Sequence, residues 1–232
     1  MELSVVVPCY NEEGRLPGSL RRIQPYLEGQ PLEFELILVD DGSSDGTGAV
    51  IRDAGRRHPY VNPLLLTPNR GKGAAVAAGV KESRGRLVLI SDADFSTPIE
   101  EFSKLEDAIT GGADVAIGSR AAPGAREVDQ PLYRQAMGKA FNRVVQALVL
   151  PGFLDTQCGF KLFRGGIARE LFGQLRTTGF AFDVEILVYA LRAGYRVREV
   201  PVRWVNSGSS RVAPVSDSTR MLRDLLRIWR RA

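Results

Sequence analysis

Residues 86–98 read RLVLISDADFSTP. An apolar run, residues 87–90, ends in a serine and two aspartates one residue apart, Asp92 and Asp94, ahead of a Ser-Thr-Pro segment. A short apolar run without polar alternation suits a strand buried on both faces, as in a parallel sheet. The two aspartates then have two readings. They are a polar turn at a strand end, or a pair of oxygen donors for a hard cation.

The same pattern recurs along the chain. LSVVVP (3–8), FELILVD (34–40), NPLLLTP (62–68) and ADVAIGS (113–119) are further short, nearly all-apolar runs. Helical spacings lie between them: Leu16, Leu20, Ile23 and Leu27; Val50 and Ile51 in GTGAVIRDAGRR (46–57); Ala74 to Val80; and Ile99, Phe102, Leu105 and Ile109. Strand and helix in alternation predict an α/β fold, a mostly parallel sheet with helices on both faces. Ligands of such sheets bind beyond the carboxyl ends of the strands. Polar residues gather at those ends: PCYNEE (8–13), DDGSSDGT (40–47), NRGKG (69–73), DADFST (92–97) and GSR (118–120). Five consecutive strand ends carrying glycine, carboxylate or cation exceed what turn chemistry requires, which favours the site reading of Asp92 and Asp94.

The second half is less regular. PLYRQAMGKAFNRVVQALVL (131–150) reads as a helix with Met137, Phe141, Val144, Val145 and Leu148 on one face. DTQCGFKLF (155–163) is a loop entering a strand, followed by helices over about 166–175 and 182–192. YRVREVPVRWV (195–205) alternates as a strand, and Pro201 marks it as an edge. NSGSSRVAPVSDS (206–218) reads as a loop, and a basic amphipathic helix runs from Thr219.

Hydrophobic residues at 44% and charged residues at 25% are those of an ordinary globular protein. The two cysteines, Cys9 and Cys158, form neither a zinc pattern nor a disulfide framework, and fit a reducing compartment as small buried groups. The N-terminus lacks the pattern of a signal peptide, and the longest apolar stretch, VVQALVLPGFL (144–154), is too short to span a bilayer. The net charge of +4 is unevenly spread: nine arginines from Arg196 onward face Glu199, Asp217 and Asp224, a local balance of +6. A basic tail points to a polyanionic partner, such as phosphates or an anionic membrane surface. No nucleic-acid-binding motif accompanies it.

Two motifs carry the chemistry. A D-x-D pair on an extended loop can turn oxygens toward one magnesium or manganese ion, whose remaining positions are filled by water and substrate phosphate. NRGKG is not a phosphate-binding P-loop, because Leu66 and Gly73 stand where glycine and serine or threonine are needed. Its glycines still permit close backbone approach at a helix start, which favours anions. Lys72 there can meet a phosphate, a carboxylate from a neighbouring loop, or only water.

VVVPCYNEE (5–13), ILVDDGSSDGT (37–47), NRGKGAAVAAG (69–79), LISDADFST (89–97) and AIGSR (116–120), in this order, resemble the nucleotide-sugar-binding half of inverting family 2 glycosyltransferases with the GT-A fold, a Rossmann-like sheet. DTQCGFKLF followed by FAFDVEIL (180–187) resembles the dolichyl-phosphate glucosyltransferases and related polyprenyl-phosphate sugar synthases. The resemblance covers essentially the whole chain. It implies one GT-A domain over residues 1–215, with a nucleotide-sugar-binding half at 1–120 and an acceptor-binding half at 121–215, and a basic amphipathic helix over 216–232.

By this resemblance Pro8, Tyr10, Glu12 and Asp40 hold the nucleoside and Asp92 lies near the sugar–diphosphate; Lys72, from its place in NRGKG, is counted with the nucleotide-sugar-binding residues. Asp94 is the principal metal ligand with Asp92 beside it, for Mg2+ or Mn2+. Ser96 stands where many mannose synthases of this type carry glutamine, which fits the glucosyl branch. Arg120 and Arg134 surround the acceptor phosphate, and Arg211 closes over the donor diphosphate. Asp155 and Gln157 approach the acceptor and the reacting sugar, completing a catalytic group with Asp92 and Asp94.

The implied reaction is inverting transfer of a hexose to a polyprenyl phosphate, with UDP-glucose the favoured donor and GDP-mannose the other candidate. A lipid monophosphate is already ionised near neutral pH, so no general base is required, and Asp155 serves as an orienter or an optional base. Two other readings keep the fold: transfer to a soluble or glycan hydroxyl, which needs a base, and a nucleotide-sugar-binding module without turnover. The C-terminal helix, with Met221, Leu222, Leu225, Ile228 and Trp229 on one face, either lies on an anionic membrane or packs on the core. A protein peripheral to the cytoplasmic face of a membrane is the expected setting.

Overall fold

The computed structural model describes residues 1–130, 132–206 and 214–231, and the side chains of these except at 132–135, 139 and 214–218. Its first half is the expected alternation. β1 (Leu3–Cys9), α1 (Leu16–Glu28), β2 (Phe34–Asp41), α2 (Thr47–Arg57), β3 (Val61–Leu66), α3 (Lys72–Glu82), β4 (Leu87–Ile90), α4 (Phe102–Thr110) and β5 (Val115–Ser119) follow one another. After β6 (Arg126–Val128) come α5 (Leu132–Leu148), β7 (Lys161–Arg164), α6 (Gly165–Gly173), α7 (Phe182–Arg192), β8 (Val197–Pro201), β9 (Arg203–Val205) and α8 (Pro214–Arg231).

Seven strands form one sheet in the order β3-β2-β1-β4-β7-β5-β8. All pairings are parallel except those of β7, which lies antiparallel between β4 and β5. Period-2 alternation sends side chains to opposite faces. Leu3, Val5, Val7, Leu36 and Leu38 join a core with α1, α2 and α4, where all four of Leu16, Leu20, Ile23 and Leu27 are buried. Val6, Ile37 and Val39 join a second core with α3, α6, α7 and α8.

The reversed strand shapes the site. Because β7 runs against its neighbours, the loop that enters it, 155–160, lies at the carboxyl edge of β1, β2, β4 and β5. Helix α6 then returns the chain to that edge, so α7 also starts there. The sequence pattern places strand β7 but not its direction, and β6 went unanticipated.

Three readings need correction. YRVREVPVRWV is two strands in different sheets: β8 is the sheet's edge, as Pro201 indicated, while β9 pairs with β6 in a separate two-stranded sheet. In α5 only part of the expected face is inward, since Val145 is buried while Met137 and Val144 are exposed. Helix α8 starts at Pro214 rather than Thr219, and its apolar residues divide. Leu225 and Ile228 are buried in the second core, whereas Leu222, Leu226 and Trp229 lie outside at 44–49% exposure. At 100° per residue the outer three form a stripe between the buried face and Arg223, Arg227 and Arg230. Among the described residues no helix is long and apolar enough to cross a membrane.

Candidate active site at the sheet's carboxyl edge

The loops after β1 and β2 are tied together. Glu12 is buried, its carboxylate engaged by Arg15 Nε at 2.7 Å and by the same guanidinium's Nη2, and its backbone N–H donates to Thr47 Oγ1 at 2.7 Å. Asp40 Oδ1 accepts the Ser43 N–H at 3.0 Å, and a methyl group on Gly48 would come within 2.8 Å of its Oδ2. Tyr10, just after β1, is 43% exposed, and Pro8 is half-buried.

Asp41, which sequence reasoning passed over, organises the NRGKG loop. Its carboxylate accepts the backbone N–H groups of Arg70 (3.0 Å) and Gly71 (2.8 Å) and the Asn69 amide (2.9 Å). That loop delivers Lys72 to Asp92, with Nζ to Oδ1 at 2.6 Å. Burial opposes the Lys72 charge, but Asp92 and Asp183 outweigh it and hold the ammonium above the ordinary lysine range. Of the alternatives for Lys72, the structure shows the neighbouring carboxylate.

The polar-turn reading of Asp92 and Asp94 is what the structure shows. The Phe95 N–H donates to Asp92 O at 3.0 Å, and the Ser96 N–H to Asp94 Oδ1 at 2.9 Å, so the motif is a hydrogen-bonded turn. Phe95 takes a left-handed φ of 46° and buries its ring, which pins the turn to the core. Arg22 of α1 reaches across to donate to Asp94 O at 2.7 Å. Ser96 accepts the Val205 N–H on its carbonyl at 2.7 Å, and its buried Oγ has no partner among the described residues. The described residues contain no cluster of three acidic, histidine or cysteine ligands. Two carboxylates on one turn nevertheless fit a hard divalent cation whose other ligands are diphosphate oxygens and water.

Beyond β5, Arg120 and Asp155 are locked together. Asp155 accepts the Arg120 backbone N–H (2.9 Å), Nε (2.7 Å) and Nη2 (3.0 Å), and Oδ1 also takes the Gln157 N–H at 3.2 Å. Glu199 of β8 fixes the same loop through the N–H groups of Leu154 (2.8 Å) and Asp155 (2.9 Å). Burial works against the Asp155 charge, yet Arg120 holds its carboxyl below the ordinary range. The guanidinium lies 5.9 Å from the Trp204 ring centre. Arg134 sits on α5 with its side chain outside the described residues, and Arg211 lies outside them altogether.

A mostly parallel sheet flanked by helices, with carboxylates and cations at its carboxyl edge, is a GT-A-like fold. Residues 4–172 match the sequence profile "Glycosyl transferase family 2". The chain belongs to that family, and it is a glycosyltransferase. It is 39% identical to a dolichyl-phosphate beta-glucosyltransferase of Drosophila melanogaster, over 99% of this chain and 74% of the relative. The human protein of the same description is 36% identical over 97% of this chain and 74% of its own. In fold it is similar to glucosyl-3-phosphoglycerate synthase from Mycobacterium tuberculosis, solved with Mn2+, uridine diphosphate and product. The TM-score is 0.72 at 20% identity, covering 98% of this chain and 78% of that one.

Proposed function

We propose that this protein moves glucose from UDP-glucose to a dolichyl-type polyprenyl phosphate with inversion at the sugar. The observation that carries the reading is the Arg120–Asp155 lock. Both carboxylate oxygens of Asp155 are already hydrogen-bonded, and a carboxyl held below its usual range is a poor general base. Glu199 is likewise spent on backbone N–H groups. An acceptor that arrives ionised suits this arrangement, and a sugar hydroxyl does not. The relatives' described activity agrees.

In this reading Tyr10 stacks on the base, and Pro8, Glu12 and Asp40 shape the nucleoside pocket. Asp94 and Asp92 hold the divalent ion, Mg2+ or Mn2+, which when bound supplies positive charge against the departing diphosphate. Lys72 keeps Asp92 oriented, and Arg211 is assigned to the diphosphate. Asp155 orients Arg120, whose fork matches phosphate oxygens, with Arg134 as the second acceptor cation and Gln157 toward the reacting sugar. The outer stripe of α8 beside its arginines suits an anionic membrane surface, as expected of a peripheral protein on the cytoplasmic face that meets a lipid acceptor.

The test is direct. Purified protein with UDP-glucose, Mg2+ or Mn2+ and a short polyprenyl phosphate is expected to yield a glucosylated lipid with β configuration. Transfer to water or to a free sugar instead, with no lipid product, would favour the hydroxyl-acceptor reading. GDP-mannose in a parallel arm checks the donor.

A further inference from the structure

We infer that Gly159, Lys161 and Asp183 are positioning residues for Asp92, although sequence reasoning assigned all three to the acceptor-binding half. The inference rests on the proposal that Asp92 belongs to the donor site. A closed ring of contacts carries it.

Asp92 has two close neighbours. Lys72 Nζ lies 2.6 Å from Oδ1. The other is Gly159, where an added methyl group would stand 2.2 Å from Oδ2 and 2.5 Å from the carboxyl carbon. Only glycine leaves room for the carboxylate where it is.

Lys72 in turn sits on the segment before α7. The Gly73 N–H donates to Thr178 O at 2.7 Å. A methyl group on Gly71 would meet Thr178 O at 2.5 Å, and one on Gly73 would meet Thr177 O at 2.5 Å and Phe182 Cβ at 2.7 Å. The Lys72 ammonium is 5.9 Å from the Phe182 ring centre. The next residue, Asp183, accepts Lys161 Nζ at 2.6 Å, and the same ammonium donates to Cys158 O at 2.6 Å. Cys158 precedes Gly159, which closes the ring on Asp92.

Lys161 and Asp183 are 1% and 4% exposed. A buried ion pair is a poor device for stability alone, because desolvation of both charges offsets their attraction. Its geometry, however, fixes the first turn of α7 relative to the 158–159 backbone. Those are the two surfaces that hold Lys72 and Asp92. The acceptor-side segments thereby set the donor carboxylate.

The test uses the full chain, UDP-glucose and Mn2+. Gly159→Ala, and the paired Lys161→Met with Asp183→Leu, are compared with wild type by calorimetric binding of UDP-glucose·Mn2+, by donor and acceptor KM and kcat, and by Tm. The paired swap removes both charges together, leaving no unpaired buried ion. Roughly tenfold weaker donor binding, with donor KM raised and acceptor KM unchanged, is expected in both. In an Asp92→Ala background Gly159→Ala should add no further loss, because it acts through that carboxylate. Folded variants with wild-type donor affinity, or losses that add fully to Asp92→Ala, overturn the positioning role. Failure of the wild-type protein to bind UDP-glucose overturns the donor-site reading, and the positioning role with it.

Discussion

The two ends of the site are held by different kinds of contact. On the proposed donor side three carboxylates take local contacts, Asp40 from Ser43, Asp94 from Ser96 and Glu12 from Arg15, each within three residues, while Asp92 is met by Lys72 from another loop. On the proposed acceptor side Arg120 is fixed by Asp155 and the Asp155 loop by Glu199, across 35 and 44 residues. Local contacts survive small changes elsewhere, whereas a long-range buried pair fails as a unit. A substitution at a locally held carboxylate such as Asp94 should therefore cost chemistry alone, whereas one at the Arg120–Asp155 pair should cost chemistry and fold together.

The largest expected effect tests the donor half of that contrast. Asp94→Ala should lower kcat/KM for UDP-glucose by about 100- to 1000-fold, the scale for removing one group that stabilises transition-state charge. Its Tm should stay near wild type. A large loss of Tm would show that the turn is structurally as costly as the acceptor lock.

Asp155→Asn is the matching probe on the other side. It leaves the Arg120 guanidinium partly buried beside a neutral group, at a cost of about 3 kcal/mol by the scale for broken buried pairs, read in chemical denaturation, with acceptor KM raised. The sign of the pH dependence follows from the depressed Asp155 carboxyl. The pair's contribution is fully present above the unfolded carboxylate value of about 3.9 and is lost as pH falls through the lower folded value. Stability should therefore be flat in this respect near neutrality and decline only in acid. Activity should instead show an acid limb near pH 6, where a phosphate monoester takes up its second proton. That limb should persist in Asp155→Asn. Its disappearance would restore Asp155 as a base.

Helix α8 separates packing from surface within one element. Leu225→Ala should destabilise by about 2–5 kcal/mol, as for other buried leucines. Changing Leu222, Leu226 and Trp229 together to serine should leave Tm nearly unchanged but abolish co-sedimentation with anionic vesicles. Retained binding would remove the membrane role from this stripe. The smallest effect is expected at Ser96. Its buried hydroxyl has no partner among the described residues, so Ser96→Ala should change stability by no more than about 0.5 kcal/mol, or raise it, with Mn2+ affinity unaltered. A clear drop in Mn2+ affinity would make the hydroxyl a ligand.

Much of this was legible in residue order. The five strand ends were found because apolar runs and helical spacings are local properties, and because a parallel sheet places every carboxyl end on one edge. Asp92, Asp94 and Lys72 were singled out there, Arg120 and Asp155 through the family resemblance, and the structure brings Lys72 to Asp92 and Arg120 to Asp155. Asp41, Arg15, Arg22, Lys161, Asp183 and Glu199 were missed. Charged residues within strands or first turns look alike in a sequence whether they face solvent or a partner many residues away. A signal for Asp41 was present, since a second aspartate ahead of glycine is more than one nucleoside contact needs.

The sequence by itself determined the α/β alternation, the common edge of the polar loops and the D-x-D turn, because periodicity, turn chemistry and strand-end placement act within a few residues. Only the tertiary structure decided the rest. The antiparallel insertion of β7 brings Gly159 against Asp92, α7 closes on the Lys72 loop, and α8 divides its apolar residues between core and surface. Each of these depends on which surfaces meet across the sheet, and local pattern carries no record of that.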